Sequence, residues 1–370
     1  MTHLPSIASR KQFMDYLESV MSAETHETTF PDEEESRLGR PRELKSILLE
    51  VNSLPGAEFR ADEIEGVIRD TGVEHIKQLN LSANRDSAEF FVDMTDTRFW
   101  VLHTDARADV AHPLVERLVS SPSFQFDRAW IPTQVLKKIS GLPGNAFGGF
   151  GLEYFDLFPE SPEPSTEKMS MDFYGTSAER ALRVLTADAD LQRSSAYEKI
   201  RIRRGHSGAY AKDDLRYNGI ITVKTGQSVD DHVSFVDDTK NLYREAVTSI
   251  EKFWLRSVSA GDYFRVEGQA FDIKLERQIP SLESFLEQLL NSSDPFRLWG
   301  VKSKVEGDYY RVMALDLHTG HPLDLEVGQG LIRVYLPDKS CGNSLLRLYV
   351  NLQHFFDSRT HFEGAVSLGA

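Results

Sequence analysis

Three hundred and seventy residues carry 42 Lys and Arg against 57 Asp and Glu, a formal charge of −15. At roughly 150 residues per domain the length predicts two or three domains. With 40% apolar and 27% charged residues, the composition excludes a wholly disordered chain, a collagen-like chain and a coiled coil.

One cysteine, Cys341, excludes an intramolecular disulfide framework and every multi-cysteine zinc site. No apolar run approaches the roughly 18 residues of a membrane span, and the start MTHLPSIASRKQF lacks a secretory apolar core. The expectation is a cytoplasmic protein with no membrane partner. The negative charge disfavours phosphate backbones at long range, although a local basic groove escapes that field beyond a Debye length of about 8 Å.

Phe13, Tyr16, Leu17 and Val20 have helical spacing and predict a helix over 10–22. The stretch that follows holds two prolines and the acidic run Asp32–Glu35, an acidic linker. Whether this helix packs on its own body or on a neighbour is left open. Leu44, Ile47, Leu48 and Val51, then Ile64, Val67 and Ile68, again read as helical, two helices parted by Pro55-Gly56. A helix-turn-helix reader is rejected there, because ADEIEGVIRD puts acids where base contacts need Arg, Gln or Asn.

Strands are predicted at 89–94 and 98–104, paired as a hairpin, and at 124–131, with a helix at 108–120 between them. Thr133 is read as the cap of the next helix, and 148–158 as a strand. PESPEPSTE, with three prolines in nine residues, marks a linker-like boundary. Beyond it come the alternating strand Met169–Phe173, a helix opened by Thr176-Ser177, a basic strand, a strand over 215–224 and a long helix over 238–257. Strands at 264–267 and 271–275 are expected to pair around Gly268, Ser281 to cap a helix through Leu290, and a last helix to run over 344–357.

The sum is an α+β fold: antiparallel sheets packed with helices, preceded by an N-terminal helix on an acidic linker. The boundaries are 1–43 for that helix and linker, then α+β domains over 44–160, 161–260 and 261–370.

In the basic strand, Lys199, Arg201 and Arg203 share one face, with Arg204 following. They suit nucleic acid or an acidic partner, although a solvated strand face is the plainer reading, since no stacking aromatics are interleaved. In ALDLHTGHPLDLEVG, a three-residue loop at Gly320–Pro322 would place Asp316, His318, Asp324 and Glu326 on one face, opposite the leucines. That face could take a divalent cation, the one cofactor the sequence leaves room for, or be an ordinary wet hairpin face.

Asp262, Asp272 and Lys274 fit loosely the acid and D-x-K pattern of metal-dependent nucleases, but any acidic amphipathic strand contains that triplet by chance. His318, Asp262, Asp272 and Lys274 are thus the candidate catalytic residues, and whether the protein is an enzyme is undecided. Arg347, Asn351 and His354 form a polar stripe read as water-facing. Arg297 and Trp299 combine two residue types enriched at binding hot spots.

No GxxxxGK[ST], HExxH or GxSxG signature is present. The leading expectation is therefore a non-catalytic interaction subunit of a bacterial-type multi-protein assembly, binding another protein or protein complex. A metal-dependent hydrolase and a nucleic-acid-binding module through 199–204 follow.

Overall fold

The computed structural model describes residues 4–22, 43–61, 63–159, 168–206, 208–261, 263–305 and 308–363. The acidic run, the PESPEPSTE boundary from 160 onward and Asp262 lie outside them. The elements open with α1 (Arg10–Ser22), β1 (Lys45–Val51), β2 (Glu58–Ala61), β3 (Ile64–Asp70), β4 (Ile76–Ala83), β5 (Asp86–Asp93) and β6 (Phe99–Thr104). Next come α2 (Ala108–Ser120), β7 (Phe126–Arg128), α3 (Thr133–Ser140), β8 (Asn145–Phe155) and β9 (Lys168–Tyr174). Then follow α4 (Ala178–Leu185), α5 (Ala189–Arg193), β10 (Tyr197–His206), β11 (Ala209–Arg216), β12 (Ile220–Gly226) and α6 (Val229–Glu251). The last part holds β13 (Arg256–Ala260), β14 (Tyr263–Glu267), β15 (Phe271–Lys274), α7 (Leu282–Leu289) and β16 (Leu298–Val305). It closes with β17 (Tyr309–Asp316), β18 (Pro322–Gly328), β19 (Leu331–Tyr335), α8 (Gly342–Phe355) and β20 (His361–Glu363).

The chain is α+β, and its extensive sheets are antiparallel. Among the described residues no helix is long and apolar enough to cross a membrane. Contacts divide the chain into two compact units: Met1–Ala129 with Ser140–Phe147 and Arg201–Asn241, and Trp130–Ile139 with Gly148–Ile200 and Leu242–Ala370.

In the first unit the strands run β2-β3-β4-β5-β6-β1-β12-β11, with β7 beside β1. One face is covered by α2, whose Ala111, Leu114, Val115 and Leu118 pack on Ile47, Leu49, Trp100 and Leu102. The other face takes α1, with Phe13, Leu17, Val20 and Met21 against Phe91, Ala211, Val223 and Val229. The N-terminal helix therefore docks on its own unit.

The two helices expected over 44–78 are instead β1 to β4. Every residue of β1 is buried, so apolar side chains occupy both parities and mimic helical spacing. In β3, Gly66 leaves room for the ring of Phe59, its partner on β2; a Cβ there would lie 2.0 Å from that ring.

The strand expected over 215–224 is the hairpin β11–β12, which turns at Gly219 in the left-handed region (φ 77°). Helix α6 starts nine residues before its expected start at Asp238. Ser228 Oγ accepts from the Asp231 N–H at 3.2 Å and caps it, and Asp230 and Asp231 occupy the first turn. Its early turns bury His232, Thr239 and Lys240 beside Phe235 and Val236, which hides the apolar pattern.

The second unit contains the antiparallel pairs β8–β9 and β13–β14 and a six-stranded antiparallel sheet ordered β16-β17-β18-β19-β15-β20. The strands expected to pair around Gly268 do not: β14 pairs with β13, and β15 lies between β19 and β20. Gly268 is still required, with φ 104° and space for a Cβ only 2.1 Å from the Trp254 carbonyl oxygen. Ser281 caps α7 as expected, accepting from the Ser284 N–H. In α8 the stripe expected to face water is buried: Arg347 and Asn351 are 0% exposed and His354 4%. Arg347 donates to the Phe296 carbonyl at 3.1 Å and Asn351 to the Pro295 carbonyl at 2.9 Å. Partners elsewhere in the unit turn the polar stripe inward.

Candidate functional site

Strand pairing moves the 316–326 hairpin away from its expected register. Leu315 lies opposite Pro322, not Val327, and Arg311 lies opposite Glu326. The Asp316 carboxylate builds the longer loop. It accepts from the His318 N–H at 3.1 Å and Thr319 Oγ1 at 3.2 Å, while its own backbone exchanges hydrogen bonds with Gly320 and His321.

Asp316 (1% exposed) and His318 (2%) are thereby sealed in, and Arg347 and Ser344 of α8 also donate to the Asp316 carboxylate. Burial by itself would raise the Asp316 carboxyl, but Arg347, His318 and Ser344 outweigh it and hold the group well below the usual carboxylate range. Asp324 and Glu326 point to the opposite face of the sheet from buried Leu323 and Leu325. There, Glu326 accepts from Tyr335 Oη at 3.0 Å and pairs with Arg311 at 3.4 Å. Burial raises the Asp324 carboxyl. The four residues thus sit in two environments. Among the described residues no three His, Cys, Asp or Glu side chains are grouped to hold a metal ion.

The other sequence candidates have neighbours as well. Both Asp272 oxygens accept from Arg333, at 2.7 and 2.8 Å, and Lys274 pairs with Glu363 at 3.0 Å. On the basic strand, Lys199 meets Asp172 at 2.9 Å, and Arg201 grips Asp214 at 2.6 and 2.7 Å. Arg204 meets Asp238 at 2.7 Å, and the Arg203 guanidinium lies over the Tyr210 ring at 4.6 Å. Carboxylates thus answer three of the four cations, Lys199 within the second unit and Arg201 and Arg204 within the first.

Trp299 and Arg297 separate: Arg297 is buried, with φ 54°, whereas Trp299 is 50% exposed. Trp299 belongs to the outer face of β16 and β17, where Trp299 pairs with Leu315, Val301 with Met313 and Val305 with Tyr309, and Ser303 with Arg311 comes between the last two. Trp299, Val301, Val305, Met313 and Leu315 are 38–60% exposed. On the inner side of β16, Lys302 reaches back to Glu287 of α7 at 3.2 Å. Farther across the outer face the pattern changes to charge: Arg311–Glu326 is followed by Arg333–Asp272. The contiguous apolar stripe of Trp299, Leu315, Val301 and Met313 therefore occupies the β16 edge and stops where the charged ladder begins at Arg311, with Val305 beyond it.

A second constellation lies in the first unit, and its spacing gave no signal. Ser46 Oγ sits 2.9 Å from His103 Nδ1 and 2.8 Å from His232 Nε2, and His232 Nδ1 sits 2.8 Å from Asp213 Oδ1. The members come from β1, β6, α6 and β11, separated by 57, 186 and 19 positions along those three contacts. A carboxylate only accepts, so His232 Nδ1–H donates to Asp213; in a neutral His232 ring, Nε2 then accepts the Ser46 hydroxyl and Ser46 Oγ accepts from His103 Nδ1–H. Burial pushes His103 down to about 3, with His232 adding to the effect, so its ring is neutral.

These observations define an α+β protein of two units, one carrying an exposed apolar sheet edge and the other a buried Ser–His–Asp relay. The chain belongs to the MJECL33-like protein family, whose pattern matches residues 1–367. It is 25% identical over 404 aligned positions to the uncharacterized protein MJECL33 of Methanocaldococcus jannaschii, an alignment covering 97% of this chain and 95% of that protein.

Proposed function

We propose that the chain is a protein-binding subunit of a multi-protein assembly, and that it docks its partner on the outer face of β16 and β17. The contrast along one sheet face carries the reading. Toward β15 that face carries the Arg311–Glu326 and Arg333–Asp272 ion pairs, whereas at the β16 edge Trp299–Leu315 and Val301–Met313 are adjoining exposed apolar pairs, with Val305 beyond the Ser303–Arg311 pair. Singly exposed apolar residues are ordinary, but contiguous ones mark contact surfaces. Trp299 supplies the large rigid anchor typical of hot spots, and Arg311 (68% exposed), next after Met313 on that face and paired with Glu326, suits a partner bearing a carboxylate there.

The test is site-specific photo-crosslinking from position 301 in the native host, with the captured protein identified and its complex reconstituted. The double variant Val301→Glu/Met313→Glu is expected to fold like the parent and to weaken that reconstituted complex at least tenfold. Equal affinity of parent and variant would refute this surface.

A further inference from the structure

We propose that Ser46 is a nucleophile, activated by His232 and Asp213, that takes the acyl group of small carboxylic esters, with α1 as the cover of the site. Three geometric facts support it. The Ser–His and His–Asp contacts, both 2.8 Å, are those of a working nucleophile–base–carboxylate relay. His103 adds a fourth member, its Nδ1 2.9 Å from the Ser46 oxygen. A groove of about 560 Å³ runs between α1 and α6, lined by Arg10, Met14, Val233 and Asp237. Met14 and Val233 directly follow Phe13 and His232 in sequence.

Ser46 and His232 are 0% exposed, and the Phe13 ring of α1 packs edge-on against His103 with centroids 5.5 Å apart. Reaction therefore requires α1 to shift, and the groove is where its contact with α6 leaves space. In the step itself, Ser46 Oγ bonds to the ester carbonyl carbon while its proton passes to His232 Nε2. The carbon–oxygen bond to the leaving alcohol breaks, and His232 returns the proton to that alcohol. Water then attacks the acyl-serine with His232 again as base, releasing the carboxylic acid and restoring the hydroxyl.

The probe is an alkyl fluorophosphonate, with which Ser46 forms an oxygen–phosphorus bond as fluoride leaves and His232 takes the proton. Full-length parent and Phe13→Ala are incubated to completion, and adducts are mapped by peptide mass spectrometry. The expected result is one adduct on Ser46, formed at least tenfold faster in Phe13→Ala and slowed about a hundredfold or more in His232→Gln. A slow parent adduct on Ser46 whose rate rises as a single base deprotonates supports the assignment even where His232→Gln fails to fold. No Ser46 adduct in either the parent or Phe13→Ala, or labelling spread equally over other serines, overturns the proposal.

Discussion

Replacing Arg347 with methionine keeps the apolar stem of the side chain and deletes its charge, leaving the Asp316 carboxylate 1% exposed with Ser344, Thr319 and the His318 N–H as donors. Removing one partner of a buried ion pair costs ~3–5 kcal/mol, because the survivor stays desolvated. The lost bond to the Phe296 carbonyl adds ~1 kcal/mol. Against ~5–15 kcal/mol for a whole domain, that is about a quarter or more of what holds such a unit folded.

The double variant Asp316→Leu/Arg347→Met leaves no orphaned charge and is expected to be more stable than Arg347→Met alone. The pH dependence has a definite sign. The folded carboxyl of Asp316 lies below its unfolded value of ~4, so the pair's contribution is complete above that pH and is lost as pH falls toward the folded value. Urea unfolding of parent, single and double variants at neutral pH, and of the parent at pH values below ~4, followed by tryptophan fluorescence, reads all of this. A loss below ~1 kcal/mol for Arg347→Met, or a double variant no more stable than that single, would refute the reasoning.

In the first unit, burial pushes His103 down to about 3 and His112 down to about 4, with nearby cations adding to both. Unfolding frees each ring to take a proton near ~6.5, so stability is complete above that pH and falls below it, by roughly 4 kcal/mol for the two at pH 5. Urea midpoints unchanged between pH 7 and pH 5 would contradict it. On the basic strand, Arg201→Glu sets a second carboxylate against Asp214, 6% exposed at its side chain, and is expected to cost ~3 kcal/mol or more. Thermal melts check that, and parent-like stability together with nucleic-acid affinity that falls steeply with salt would show that Arg201 serves a ligand instead.

Local signals were legible where the element carries its own punctuation. The edges of α1 and α2 and the Ser281 cap of α7 follow from residues within a turn of one another. The chain hid what depends on distant partners. Arg347 looks like a water-facing residue until Asp316, 31 positions away, is placed beside it. The alternation in ALDLHTGHPLDLEVG admits two registers, and the Asp316 carboxylate selects the one with the longer loop by capping it. Ser46, His103, Asp213 and His232 had no readable relation at all, because sheet pairing and α6 bring them together over as many as 186 positions.

The same register decides what the sheet edge shows to water. Had Leu315 fallen opposite Val327, it would have shared the inner face with Leu325. Instead its side chain and that of Met313 turn outward, in line with Trp299 and Val301. The inner face is already filled by Val312, Ala314, Leu323, Leu325 and Val327, all 2% exposed or less. No core position therefore remains for the displaced pair, and their exposure follows from the loop that Asp316 builds. Burying the stripe under a partner would remove apolar area from water at ~25 cal/mol per Å², a gain the unbound chain forgoes. The loop chemistry and the docking surface are thus one arrangement: an Asp316 substitution that lets the hairpin slip is expected to disturb the stripe, whereas Val301→Glu/Met313→Glu leaves the loop intact.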